Sequence, residues 1–154
     1  MSVKTIHIRP AKLEDLNDVY EWRNDYDSRS MFINSSFVTF QTHKDWYLKS
    51  LRSEKIVMYI GVVENQNIGV CRFDISSDSK VAHVSININP NFRNKGFGCS
   101  LLHESVSKFS QNYGLPLIAK IKEENIRSLK IFQRCKFQEM KSSNSKSIIL
   151  LFRK

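Results

Sequence analysis

The sequence predicts an α/β fold, a central mixed and mostly antiparallel sheet of six to seven strands flanked by about four helices. Three observations carry that expectation. Segments of period-two alternation and of helical periodicity interleave along the whole chain, in the order strand, helices, three strands, helix, strand, helix, strands. The three middle strands are separated only by short polar stretches, as in an antiparallel meander. No repeat, Pro/Gly/Ser-rich linker or low-complexity tail divides the 154 residues. One domain over residues 1–154 is therefore expected, long enough to bury a sizeable core.

Element by element, residues 3–9 alternate like a strand. Over residues 12–24, Leu13, Leu16, Val19, Tyr20 and Arg23 recur near one helical face, and Asp15 suits the positive end of a helix. Residues 25–40 lack a long periodic run yet carry Arg29, Met31, Phe32, Phe37 and Phe40, an irregular apolar stretch expected to wall a pocket. A second helix is expected over 42–53, with Thr42 as N-cap, Asp45 at its third position, and Trp46, Tyr47 and Leu51 buried. Strands follow at 56–63 and 68–75, joined by a turn Glu64-Asn65-Gln66-Asn67, then a polar turn over 76–80 and a strand over 81–89. Residues 96–113 place Leu101, Leu102, Val106 and Phe109 on one helical face, stopped by Gly114 and Pro116. A strand at 117–121, a helix at 125–134 and strands at 137–140 and 147–152 complete the chain.

Composition removes several function classes. No apolar run approaches the roughly 20 residues of a membrane span. The amino terminus lacks the apolar stretch of a signal peptide, so a cytoplasmic location is expected. Cys71, Cys99 and Cys135 are odd in number and far apart, without a C-x-x-C pair, so neither a disulfide framework nor a metal site is expected. The net charge of +9 would suit nucleic acid, a membrane surface or small anions. The basic residues form no block of five and accompany no nucleic-acid-binding motif. No nucleic acid or membrane partner is expected; an anionic small molecule fits better, and the protein is read as a monomer or homodimer.

The segment from Val84 to Leu102 is the most informative. An alternating strand ends at Pro90, passes Arg93-x-x-Gly96-x-Gly98 and enters a helix. A helix start leaves unpartnered N–H groups and partial positive charge, and glycines let a backbone approach an anion closely. A pyrophosphate is the expected ligand. The chain has neither the G-x-G-x-x-G of a dinucleotide fold nor the Gly-Lys-Ser/Thr of a P-loop.

On these residues, and on Glu124-Asn125-Ile126-Arg127-Ser128-Leu129-Lys130-Ile131-Phe132-Gln133-Arg134-Cys135-Lys136-Phe137 further on, the chain resembles the GCN5-related N-acetyltransferases (GNAT) over nearly its whole length. The resemblance implies acetyl-coenzyme A as cosubstrate, with no metal. It implies that Ile86, Asn87 and Ile88 line the pantetheine arm, that Arg93, Asn94, Lys95, Gly96, Phe97 and Gly98 hold the phosphates, and that Asn125 lies near the coenzyme. As a bare helix N-cap, Asn125 would be equally comfortable.

The proton chemistry departs from the family pattern. Where many members carry a tyrosine that protonates the leaving thiolate, this chain has Phe132, and where some have a glutamate base it has Lys120. His83, on the strand entering the coenzyme loop, is the leading base because imidazole titrates near neutrality. Asp74, Tyr59 and Glu123 are weaker candidates acting through water.

The acceptor side shows Glu21-Trp22-Arg23-Asn24-Asp25, then Arg29 and Phe32. This resembles the Trp-Arg-Asn segment of acetyltransferases that modify nucleotide-linked amino sugars, as in the pseudaminic acid pathway. Trp22 would stack on the acceptor and Arg23 and Arg29 would pair with its phosphates. Buried in the core, Trp22 would instead only pack, with Arg23 capping its helix. The expected activity is direct acetylation of a primary amine on a small-molecule acceptor. The alternatives are acetylation of a protein amino terminus, of ribosomal-protein type, and a non-catalytic module that senses coenzyme A or binds RNA.

Overall fold

The computed structural model describes residues 4–140 and 148–154. Seven strands form one sheet in the order β1-β2-β3-β4-β5-β7-β6. They are β1 (His7–Pro10), β2 (Ile56–Val63), β3 (Gln66–Ile75), β4 (Ala82–Ile88), β5 (Leu117–Lys122), β6 (Gln138–Glu139) and β7 (Ile148–Arg153). Every pairing is antiparallel except β4 with β5. The helices are α1 (Leu16–Asn24), α2 (Tyr26–Met31), α3 (Phe40–Arg52), α4 (Phe97–Tyr113) and α5 (Ile126–Arg134). The mixed sheet matches the expectation, with one helix more. Among the described residues no helix is long and apolar enough to cross a membrane.

Alternation along the strands sends side chains to two layers. On one face Phe73 and Val84 of the sheet bury against Leu101, Val106 and Phe109 of α4, with the Phe73 and Phe109 rings stacked 4.1 Å apart. On the other, Leu16, Val19, Trp22 and Tyr47 of α1 and α3 cover Met58, Ile60 and Val70.

Several boundaries moved. The hairpin between β2 and β3 closes on two residues, Glu64 (φ 48°) and Asn65 (φ 64°), which releases Gln66 and Asn67 into β3. Two consecutive left-handed residues match the twist of a tight hairpin better than a four-residue loop. The cap of helix α3 lies three residues before the expected one: Thr39 Oγ1 accepts the Thr42 N–H at 3.3 Å, so Thr39 is the N-cap. Tyr47 is fully buried as expected, whereas Trp46 is only half-buried and Leu51 is exposed. The first helical segment opens with a 3-10 turn, Leu13–Asp15, and Leu13 is exposed. Phe137 precedes β6 as a buried core residue. The expected strand starts at Val3 and Ser147 lie outside the described residues.

Residues 25–40 are not wholly irregular. Asp25 Oδ2 accepts the Ser28 N–H at 3.0 Å and caps the six-residue α2. Asn24 then closes the stretch, with Nδ2 donating to the Val38 carbonyl at 2.7 Å and Oδ1 accepting the Val38 N–H at 2.9 Å.

Candidate active site

The sheet opens between its parallel pair. The β4–β5 register holds Ala82 opposite Leu117 and His83 opposite Ile118, although β4 runs on to Ile88 and β5 to Lys122. β4 remains zipped to β3 out to Ile88 opposite Gly69, so the parting is not fraying. The facing edges of 84–88 and 119–122 thus diverge. They offer backbone donors and acceptors to an extended ligand laid between them, as a sheet edge does to an added strand.

At the end of β4, Asn89 caps a 3-10 turn, Pro90–Phe92, and Asn94 (φ 60°) and Gly96 (φ 81°) adopt left-handed backbone before α4 begins. A side chain added at Gly96 would meet nothing within 4 Å, so the space before the helix is clear. The positive end of the 17-residue α4 faces that space. These features fit a pyrophosphate. Lys95 Nζ sits at the rim, 5.3 Å from the Phe92 ring, which in turn tilts against Phe97.

Two residues here have neighbours outside the cradle. A Cβ at Gly98 would lie 2.7 Å from Ile131 Cδ1, the movable tip of a half-buried side chain, so α4 and α5 come close together there. Arg93 turns away from the cradle. Its Nη2 donates to Asp25 Oδ2 at 2.9 Å and contacts Ser28 Oγ, which makes it a strut to α2. Burial opposes the Asp25 charge, but the Ser28 N–H and Arg93 outweigh it and hold the carboxyl below its ordinary range.

Along β4, Ile86 and Ile88 pack into the α4 layer and present only backbone to the opening. Asn87, on the opposite face, accepts a hydrogen bond from Ser28 Oγ at 3.1 Å. Asn125 caps α5, its Oδ1 accepting the Ser128 N–H at 3.2 Å, and its own N–H donates to the Lys122 carbonyl at the end of β5. Phe132 is buried against Phe137.

His83 shares the acceptor-side face of β4 with Ser85 and Asn87, because Ala82 and Val84 point the other way. It sits at the last closed rung, where the strands part. Burial and then the Lys120 ammonium press its imidazole toward the neutral form, against a smaller pull from Asp74, its partner across β3. Asp74 itself pairs with Arg72 at 2.9 Å. Tyr59 does not join them. It is 3% exposed in the α4 layer beside Phe73, and burial pushes its phenol up. Glu123 is exposed in the turn after β5.

The acceptor side differs from expectation at its tryptophan. Trp22 is 4% exposed within the α1–α3 layer, so it has no open face to stack with. Three arginines converge nearby instead. The Arg23 guanidinium lies 4.8 Å from the Phe32 ring, Arg29 5.7 Å from Phe37, and Arg72 5.3 Å from Trp46. Burial, then Arg29 and Arg72, lower the Arg23 pKa. Among the described residues, Arg23 Nη1 and Arg29 Nε are buried without a hydrogen-bond partner. Arg23 Nη2 donates to the Asn34 carbonyl at 2.9 Å. Sequence reasoning missed Arg72, although period-two counting from Asp74 along β3 would have placed it on this face.

A sheet parted at a parallel pair, with a helix start at the gap and a polar face beside it, defines an acyltransferase drawing on a coenzyme A thioester. The chain belongs to the GNAT acetyltransferases: residues 5–138 match the acetyltransferase (GNAT) domain. It is an acetyl-CoA-dependent N-acetyltransferase. No curated protein has a significant sequence match to it. Among solved structures, a domain from Methanocaldococcus jannaschii DSM 2661 is similar at 22% identity and a TM-score of 0.82, over 98% of this chain and 99% of that one. Spermidine N-acetyltransferase from Vibrio cholerae, in complex with CoA and spermine, follows at 16% identity and a TM-score of 0.85, over 96% and 94%. The aminoglycoside acetyltransferase AAC(6')-Ib in complex with coenzyme A is similar at 16% identity and 0.83, over 97% and 94%. At these identities the likeness is one of fold.

Proposed function

We propose that this enzyme transfers acetyl from acetyl-coenzyme A to a primary amino group of a nucleotide-linked amino sugar. The observation that carries the acceptor is the arginine trio. Buried guanidinium N–H groups without partners, held over aromatic rings among other cations, favour a ligand bearing phosphate. Polyamines such as spermine, which the Vibrio cholerae relative binds, carry several positive charges that the trio would repel.

The coenzyme's arm lies along the diverging β4 edge past Ile86, Asn87 and Ile88, and its pyrophosphate at Asn94, Lys95, Gly96 and the first N–H groups of α4. Asn125 closes the far side. The amine attacks the thioester carbonyl, a C–N bond forms, the C–S bond breaks, and His83 accepts the amine's proton. Held toward its neutral form, His83 is ready for that role at neutral pH. With Phe132 in place of an acid, the thiolate leaves without a protein proton. A sugar amine flanked by electron-withdrawing oxygens is less basic than lysine and needs less help to deprotonate.

An acceptor panel tests the reading: thiol release from acetyl-CoA with UDP-glucosamine, spermidine and a peptide with a free amino terminus. Turnover of UDP-glucosamine alone, inhibited by UDP in competition with the acceptor, is expected. Faster turnover of spermidine or of the peptide would overturn it.

A further inference from the structure

Helix α2 is held in an unusual way. Six residues are too few to be helical on their own, and the one buried side chain within it is that of Ser28. Tyr26 and Met31 are exposed, so little apolar burial fastens it. Polar tethers do so instead, and they run to both strands that part. Toward β4, Ser28 Oγ donates to Asn87 Oδ1 at 3.1 Å, and Arg93, from the loop after β4, grips Asp25 at the helix cap. Toward β5, Lys122 Nζ donates to the Ser30 carbonyl at 3.0 Å. The Arg93 side chain is largely enclosed, 16% exposed, where charge-assisted hydrogen bonds count for more than at the surface, while the Lys122 bond lies at the surface.

We propose that α2 is a strap slung across the opening between β4 and β5, and that Arg93 and Lys122 are the positioning residues that hold it so that Arg29 stays beside Arg23. Arg29 lies in sequence between the two anchor points, Ser28 and Ser30. The role of Arg29 rests on the acceptor reading above. Arg93 also leaves the coenzyme loop to reach α2, so the donor loop and the acceptor arm share one side chain. A ligand seated between β4 and β5 lies under the strap, and its presence is felt at Arg29 through both tethers.

Two variants cut one tether each: Lys122→Met frees the β5 side, and Asp25→Asn removes the ion pair to Arg93 while keeping a capping side chain. In each, hydrogen exchange at residues 26–31 should quicken about fivefold or more, with α4 and β2–β3 unchanged. Lys122→Arg should restore protection. With UDP-glucosamine as acceptor, KM should rise about tenfold while kcat stays within about twofold.

Unchanged exchange at 26–31 in both variants overturns the strap, whichever acceptor proves right. Faster exchange with an unchanged acceptor KM overturns the positioning role. Faster exchange in a protein that never acetylates UDP-glucosamine upholds the strap and defeats the acceptor reading alone.

Discussion

The two halves of the site are built on different principles. The donor half, from β4 through the loop to α4, consists of backbone: a strand zipped along one edge and open along the other, two left-handed residues and a helix start. Its side chains mostly face the core, as those of Ile86 and Ile88 do. The acceptor half, residues 23–40 with Arg72, consists of side chains: guanidiniums over rings, an amide clamp from Asn24 to Val38, and a short helix on polar tethers. A ligand common to a family needs only generic groups, which backbone supplies. An acceptor particular to one enzyme needs side chains, and those vary without disturbing the sheet.

The sharpest way to separate the halves is at their junction. His83→Gln should lower kcat by about 10²–10⁴ while leaving coenzyme affinity unchanged by calorimetry. The pH profile of kcat/KM should fall only below the ordinary imidazole range. Lys120→Met, which removes one of the two influences lowering the His83 pKa, should move that acid limb to higher pH. Stability follows the same sign: a histidine held below its unfolded pKa lets acid protonate the unfolded chain first, so stability drops as pH falls through that range.

Arg29→Met should raise the KM for a phosphorylated acceptor about 10–100-fold with the coenzyme Kd unchanged, as removal of a charged hydrogen bond predicts. A loss of coenzyme binding instead would merge the two halves.

On the donor side, Gly98→Ala should cost only about 1 kcal/mol in thermal unfolding, because the atom that stands where the methyl would go, Ile131 Cδ1, is the movable end of a half-buried side chain. Ile131→Val, which removes that atom, should recover part of it. The smallest effect is expected at Tyr59→Phe, whose hydroxyl lies in the α4 layer: activity should stay within about twofold and stability within about 1 kcal/mol. A large activity loss there would return Tyr59 to the site.

Legibility in the sequence follows the same division. The strand, Pro90, glycine loop and helix could be read because each is a local signal, carried by alternation, ring constraint and backbone freedom within twenty residues. Arg93 reads as a phosphate ligand because arginine in such a loop suits an anion, whereas its partner in the fold, Asp25, stands far off in the chain. Thr39 and Thr42 are equally good caps by type, and only the folded backbone, extended at Thr39 and already helical at Thr42, chooses between them. Helix α2 escaped notice because six residues show less than two turns of periodicity. Trp22 looked available because a helix pattern states which residues share a face and not how deeply that face is covered.

From its residue order alone, this chain specified the strands and most of the helices, the glycine turn before α4 and the family it belongs to, since local backbone preference and hydrophobic period act over a few residues. Folding decided where the sheet parts, that Arg93 braces α2, that Tyr59 and Trp22 are buried, and that Arg23, Arg29 and Arg72 gather with an N–H of Arg23 and of Arg29 left unpartnered. Those outcomes depend on contacts between distant segments and on burial, which act only after the layers have packed.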